Sequence, residues 1–430
     1  MKNTRILHGN IIYSTSLTQL AAKEDAFLVM EDGLCAGVFD ALPESFPKDK
    51  IEDYGEALII PGLVDLHLHA PQFAYRGLGM DLDLIDWLNT VTFPEEAKYA
   101  HVAYAQKAYE LFVDTLRSTA TTRMAVFGTV HSEATVQLAR LLSEAGFGAY
   151  VGKVNMDRNA PDSLREESAA ASYRETLDYL QKLSTLKSLG KISDRVKPIL
   201  TPRFVPSCTP QLMENLGELA GEQHLPVQSH LSESKREIAW VKELEPGFEN
   251  YGAVYAAYGM MGNPHPSIMA HCIWSDEKEV EMMRRGGVYV AHCPQSNTNL
   301  ASGIAPVRHY LETGLHVGLG TDVAGGYSHS VLRTMADAIQ ASKLYFRCVD
   351  ESKKPLTLPE VFYLGTLGGG SFFGKVGTFE KGYEADAVIL DDSAIKTGYE
   401  MTLSQRIERA VYLSEYCRVT AKYVAGQRVL

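Results

Sequence analysis

Two kinds of hydrophobic pattern share this chain. At 5–13 and 26–30 apolar residues fall in short β-rich runs divided by turn residues such as Glu31-Asp32-Gly33, with little helical periodicity. The same style returns after Gly377-Thr378-Phe379-Glu380-Lys381-Gly382, where 386–390 and 423–430 read as strands, the latter around a Gly426-Gln427 turn. Two β-rich ends of one chain predict a small β-sandwich domain to which both contribute.

Between the ends, short apolar runs alternate with longer amphipathic stretches, the signature of βα units on a parallel sheet. Eight runs qualify, at 62–70, 119–127, 148–156, 196–204, 226–231, 267–272, 287–293 and 316–322. Eight units over roughly 300 residues predict an α/β fold built on a (β/α)8 TIM-type barrel, with chemistry at the C-terminal ends of its strands. The expected boundaries are 1–60 and 371–430 for the two parts of the β domain and 61–370 for the barrel. Segment 71–99 is long for a first βα loop and rich in apolar residues, including Trp87 and Phe93-Pro94, which predicts an ordered lid.

Composition narrows the partners. The 430 residues, 45% hydrophobic and 22% charged, suit a globular enzyme-sized fold. A net charge of -12 with no compensating Lys/Arg run argues against nucleic acid and anionic membranes as partners. No stretch approaches the ~18 apolar residues of a membrane span, and 1–13 lacks the apolar core and cleavage site of a secretory signal. Six scattered cysteines without a Cys-x-x-Cys pair fit a reducing compartment, so the expected location is cytoplasmic.

The candidate chemistry lies at the predicted strand ends. His67-Leu68-His69 closes the first strand, and alternate side chains of a strand share a face, so both imidazoles are expected to point into the barrel mouth. His230 closes the fifth strand and Asp322 the eighth. An isolated His-x-His is more often structural, but three imidazoles and a carboxylate at one end of a barrel suit a catalytic divalent metal, zinc before iron. His271, ending the sixth strand, is a fifth ligand or a group that holds water. Lys197 lies at the wrong end of its strand to bridge two metals, and Lys153 reads as a buried or paired lysine, so one metal per chain is expected. Glu233, three residues past His230, is placed for proton transfer; its bland alternative is a first-turn glutamate of a helix capped by Ser232.

These residues and their neighbours carry a resemblance. Pro61-Gly62-Leu63-Val64-Asp65 leading into His67 and His69, Gln72, Thr201-Pro202-Arg203-Phe204, Gln228-Ser229-His230 followed by Glu233, Ala291-His292-Cys293-Pro294, and the 318–327 segment are similar to the metal-dependent amidohydrolase superfamily, and within it to the guanine deaminase family. The resemblance implies that His67, His69, His230 and Asp322 bind zinc, that Glu233 shuttles protons, and that His271 steadies the attacking water. It also implies that Gln72, Arg203 and Phe204 contact a purine, with hydrolysis of guanine to xanthine as the reaction and a homodimer as the assembly. Trp87 is a further candidate for covering a planar ligand, though such aromatics more often pack a core or lid. Arg203 has a structural alternative too, pairing with a barrel carboxylate.

Other chemistries lack their motifs. His131-Ser132-Glu133 matches half of the nucleoside-type zinc deaminase signature, but no Pro-Cys-x-x-Cys follows. No P-loop or Gly-x-Ser-x-Gly elbow occurs. The rival readings are a deaminase of the same superfamily acting on cytosine, an oxidised guanine or an adenosine-like thioether, and a silent barrel serving as a scaffold.

Overall fold

Short strands and helices alternate through the middle of the chain, and the computed structural model, which describes residues 3–430, places them in a mixed α/β architecture of the TIM-barrel type. Leu63–His69, Thr121–Phe127, Gly148–Gly152 and Val196–Pro198 form one four-stranded sheet, and Val227–Leu231, Ser267–His271, Tyr289–His292 and His316–Leu319 another. All neighbouring pairs in both are parallel. Leu200 bridges in parallel to Val227 at one seam. At the other, Asp322 N donates to His67 O at 2.8 Å and His69 N to Val323 O at 2.9 Å.

The helices between strands are amphipathic. Val102–Arg117 buries Ala105, Tyr109, Phe112, Val113 and Leu116, one stripe at helical spacing. Each large side chain so buried contributes about 1.5–3 kcal/mol relative to exposure.

Three predicted strands end differently. The fourth breaks into Val196–Pro198 and Thr201–Pro202 because its prolines carry no N–H for a continuous ladder, and Arg203 lies just beyond. The third breaks at Lys153, leaving Val154–Asn155 to pair with Thr201–Pro202. The eighth stops at Leu319, so Asp322 sits in the following loop, its backbone at φ 46°.

A bulge in the first strand does what simple alternation does not. Pairing with the second strand shifts between Asp65 and Leu68. Leu66 joins Val64, Ala125, Ala270 and Ala291 in an interior cluster, while neighbouring His67 also faces inward, toward His271 and Asp322. Bulges re-aim side chains in this way beside functional sites. The crowding is tight enough that a Cβ on Gly320 would meet Cys293 Sγ at 2.8 Å and His67 Cβ at 2.9 Å.

The two chain ends form one sheet of seven strands, ordered Gln427–Arg428, Arg418–Val424, Ala387–Asp391, Ile51–Pro61, Thr4–Ser16, Gln19–Glu31 and Leu34–Phe39. The 423–430 run is thus two strands that turn at Ala425-Gly426, where both residues have positive φ, rather than at Gly426-Gln427. Leu7, Ile11, Leu28, Ile59, Ile389 and Tyr423 share a core on one side, while Ile12, Leu58 and Ile60 face the barrel's main cluster. Arg123, near the start of the second barrel strand, ties the sheet on: Nε donates to Asp386 Oδ2 at 2.6 Å and Nη2 to Asp386 Oδ1 at 2.8 Å and Glu384 Oε2 at 2.6 Å. Lys422 Nζ, also buried, donates to Leu116 O at 2.9 Å and Thr121 O at 3.0 Å.

Segment 71–99 is ordered as predicted, a succession of short helices that includes Ala70–Tyr75, Leu84–Trp87 and Phe93–Glu96. No helix among the described residues is long and apolar enough to cross a membrane.

Candidate active site

The strand ends bring four predicted side chains together. His69 Nε2 lies 3.2 Å from His230 Nε2, and Asp322 Oδ1 lies 3.3 Å from His67 Nε2 and 3.4 Å from His69 Nε2. One ligand atom each from His67, His69 and His230, and from His67, His271 and Asp322, fall within 4.8 Å of one another. His230 Nδ1 is 2.6 Å from Arg203 O, which makes it a donor and leaves Nε2 as a lone-pair donor toward the cluster. Neither ring nitrogen of His67, nor Nδ1 of His69, has a hydrogen-bond partner among the described residues although all are buried. Unpartnered imidazoles beside a carboxylate fit a divalent metal and are costly otherwise.

Burial pushes the pKa of His67, His69 and His230 down, toward the neutral form that a metal ligand needs. Burial alone would raise Asp322, but the imidazoles of His67, His271 and His69 outweigh it and hold its carboxyl below the ordinary range. Burial would likewise lower His271, but Glu233 and Asp322 turn the shift upward. Glu233 itself is raised by burial against the pull of His271.

His271 and Glu233 face each other, with Nε2 3.6 Å from Glu233 Oε2 and 3.7 Å from Asp322 Oδ2. Asn297 Oδ1 lies 2.8 Å from His271 Nδ1 and fixes the ring from behind. Glu233 Oε1 accepts from Ser302 Oγ at 3.1 Å. The expected cap is displaced: helix Lys235–Leu244 is capped by Ser234 in a capping box with Glu237, whereas Ser232, at φ 48°, gives its hydroxyl to Glu279. Glu233 therefore precedes the helix, and its own N–H donates to Glu237 Oε2 at 3.0 Å. Left-handed backbone at Ser232, His271 and Asp322 clusters around this one mouth, as constrained residues at functional sites do.

Gln72, Arg203, Phe204 and Trp87 line the same cavity, with His69, His230, Glu233, His271 and Asp322, under a roof of Leu84, Leu88 and Leu300. Arg203 does pair with a carboxylate: Nη1 donates to Glu96 Oε2 at 2.6 Å and Nη2 to Glu96 Oε1 at 3.1 Å. Gln72 Nε2 donates to the same Glu96 Oε1 at 2.8 Å while its Oε1 accepts from Ala324 N at 3.0 Å. Phe204 packs near Trp240, ring centroids 6.0 Å apart, and Trp87 gives its indole N–H to Leu78 O at 3.0 Å.

A family model described as "Amidohydrolase family" matches residues 58–429. The chain belongs to the amidohydrolase family. Among its relatives, the guanine deaminase of Rattus norvegicus is 36% identical over 449 residues, covering 99% of this chain and 96% of that one. The guanine deaminase of Dictyostelium discoideum is 36% identical over 389 residues, covering 89% and 84%. The crystal structure of guanine deaminase from C. acetobutylicum with bound guanine in the active site superposes with a TM-score of 0.95 at 43% identity, covering 100% of both chains.

Several residues of this amidohydrolase site have roles that their sequence context does not give, whether or not they stand in a motif. Asp65, raised to about 7 by burial, accepts from Thr321 Oγ1 at 2.5 Å, Thr321 N at 3.0 Å and His67 N at 3.2 Å, and so anchors the loop that carries Asp322. Glu96, Glu237 and Ser302 come from the lid, a helix and a loop without motif spacing, while Asn297 lies in the helix Pro294–Asn299 that follows the Ala291-His292-Cys293-Pro294 motif. Lys153 is buried and paired with Glu166, as its sequence context predicts. Glu133 of the decoy motif pairs with Lys182 on the surface.

Proposed function

We propose that this amidohydrolase hydrolyses guanine to xanthine and ammonia at the barrel mouth. The observation that carries the reading is the convergence of three imidazoles, three carboxylates and one guanidinium on a single cavity. The guanine-bound relative of near-identical fold supports the choice of base.

His67, His69, His230 and Asp322 would hold one divalent ion per chain, zinc in preference to iron. Such an ion supplies the Lewis acidity that makes water a nucleophile near neutral pH. Asp322 and His271 orient the attacking water. Glu233 takes one proton from the attacking water and gives it to the ring nitrogen beside the amino-bearing carbon, then takes the remaining hydroxyl proton and gives it to the amino group as this leaves as ammonia and the carbonyl forms, a role suited to a carboxylate raised by burial. Asn297, holding His271 Nδ1, keeps Nε2 aimed at Glu233. Arg203 and Gln72 bind the carbonyl and ring-nitrogen edge of the base, and Phe204 and Trp87 cover its faces.

The finer architecture belongs to the same proposal. The two seams support a closed eight-stranded (β/α)8 barrel over 61–370. Residues 1–60 and 371–430 would complete a small β-sandwich, a reading supported by contacts that join the turn before Leu34–Phe39 to the segment leading into Ala387–Asp391, Cys35 N to Tyr383 O at 2.8 Å and Ala385 N to Gly33 O at 2.9 Å. A homodimer follows from the family resemblance, and a cytoplasmic site is supported by six cysteines, none in a disulfide.

A panel of aminated bases tests the reading. Guanine should release ammonia far faster than adenine or cytosine, because a site built to hydrogen-bond one edge rejects analogues that leave its buried groups unpaired. Arg203→Ala should lower kcat/KM for guanine strongly and keep the metal. Faster consumption of adenine or cytosine would assign the site to another base.

A further inference from the structure

Glu96 is almost wholly buried, ends the lid helix Phe93–Glu96, and joins the two groups assigned to the base edge. Its carboxylate receives both terminal nitrogens of Arg203 and the amide nitrogen of Gln72. We propose that Glu96 is a specificity-setting positioning residue: it fixes which hydrogen-bonding pattern Arg203 and Gln72 offer the substrate, and it does so from the lid. The proposal rests on the guanine reading above and extends it to a residue that reading does not use.

The argument is one of donor counting. A guanidinium carries five N–H donors in a rigid plane, and two of Arg203's are committed to Glu96, so the plane is locked and the remaining donors point in set directions. A glutamine amide presents a donor end and an acceptor end of nearly the same shape. Here Ala324 N–H takes the oxygen and Glu96 the nitrogen, which leaves one N–H and one lone pair of Gln72 in a defined order. Glu96 also balances the Arg203 charge, so the edge offers donors without a net positive charge and suits a neutral carbonyl-bearing base. Because Glu96 belongs to the 71–99 segment, that segment takes part in setting the pattern that the substrate meets.

The test compares two competing ligands, hypoxanthine, which has the ring carbonyl, and unsubstituted purine, which does not. In the metal-loaded wild-type enzyme hypoxanthine should inhibit guanine turnover at least about tenfold more tightly, the scale of a buried hydrogen bond to a charged group. In Glu96→Gln the new amide N–H confronts a donor, the fork tilts, and the ratio of inhibition constants should fall to within about threefold. KM for guanine should rise on the order of tenfold while metal content is retained. Glu96→Asp, which keeps the charge but withdraws it, should give an intermediate ratio, and it decides the matter if Glu96→Gln does not fold. A guanine kcat/KM that falls with the ratio left at its wild-type value would reduce Glu96 to a structural support and overturn the proposal. So would kinetics unchanged in both variants. A wild-type enzyme that does not turn over guanine would instead sink the functional reading itself.

Discussion

Arg123, near the start of Thr121–Phe127, and Asp322, in the loop beyond the C-terminal end of His316–Leu319, are both buried, yet their surroundings are organised on opposite principles. Around Arg123 the donors are answered within the chain by Asp386 and Glu384, and Lys422 nearby gives its ammonium protons to two carbonyls. At the mouth, His67 has two ring nitrogens without a hydrogen-bond partner among the described residues, and carboxylates and imidazoles face a shared cavity. Buried charge satisfied internally holds domains together. Buried charge directed at a cavity is kept for a ligand, at a cost in stability that the rest of the fold offsets.

The largest effect is expected where the satisfied cluster is broken. Arg123→Ala leaves Asp386 buried without its partner and should lower stability by about 3–5 kcal/mol, read by denaturant unfolding. Activity per folded, metal-loaded molecule should stay near wild type, because Arg123 touches nothing at the mouth. A large loss of turnover in the folded fraction would blur the division between the two ends.

Glu233→Gln should do the reverse. Turnover should fall on the order of a hundredfold, about 3 kcal/mol of transition-state stabilisation, because the amide keeps the shape and relays no proton. Metal content should be retained and the melting midpoint should hold or rise, since a carboxyl disfavoured by burial is replaced by a neutral group. A stability loss comparable to that of Arg123→Ala would show that Glu233 is structural.

Near neutral pH Lys422 gives the smallest effect, because its contribution to stability appears only as the pH rises. Burial, with Arg117 adding to it, lowers its pKa to about 7, against roughly 10.4 in an unfolded chain. Between those values the unfolded state binds the extra proton, so this group's contribution to stability rises with pH and is lost as pH falls through 7. The stability difference between wild type and Lys422→Met should therefore grow from pH 7 to 10 by up to about 1.4 kcal/mol per pH unit and be flat below. A difference independent of pH over that range would mean that Lys422 stays charged in the fold.

Sequence periodicity was enough to find the parallel strands and to put His69, His230 and His271 at or beside their C-terminal ends, but it ran the eighth strand on to Asp322, which lies in the loop beyond Leu319. It was weaker where tertiary contacts override local pattern. The bulge that turns both Leu66 and His67 inward is set by pairing with the second strand, and the cap moved from Ser232 to Ser234 because Glu279 claims the Ser232 hydroxyl. Glu96 was out of reach for another reason. It meets Gln72 across 24 positions and Arg203 across 107, from a lid whose short helices follow no sustained period. No spacing rule links residues that distance in sequence keeps apart.

The most direct test of the account is a metal titration of the mouth. Chelator-stripped protein is reloaded with zinc in steps while xanthine formation from guanine and bound zinc are measured on the same samples. The account predicts activity that rises linearly and saturates at one zinc per chain, and a His230→Ala protein that neither holds the ion nor turns over guanine. Saturation at two ions, or full guanine turnover in the stripped protein, would contradict it.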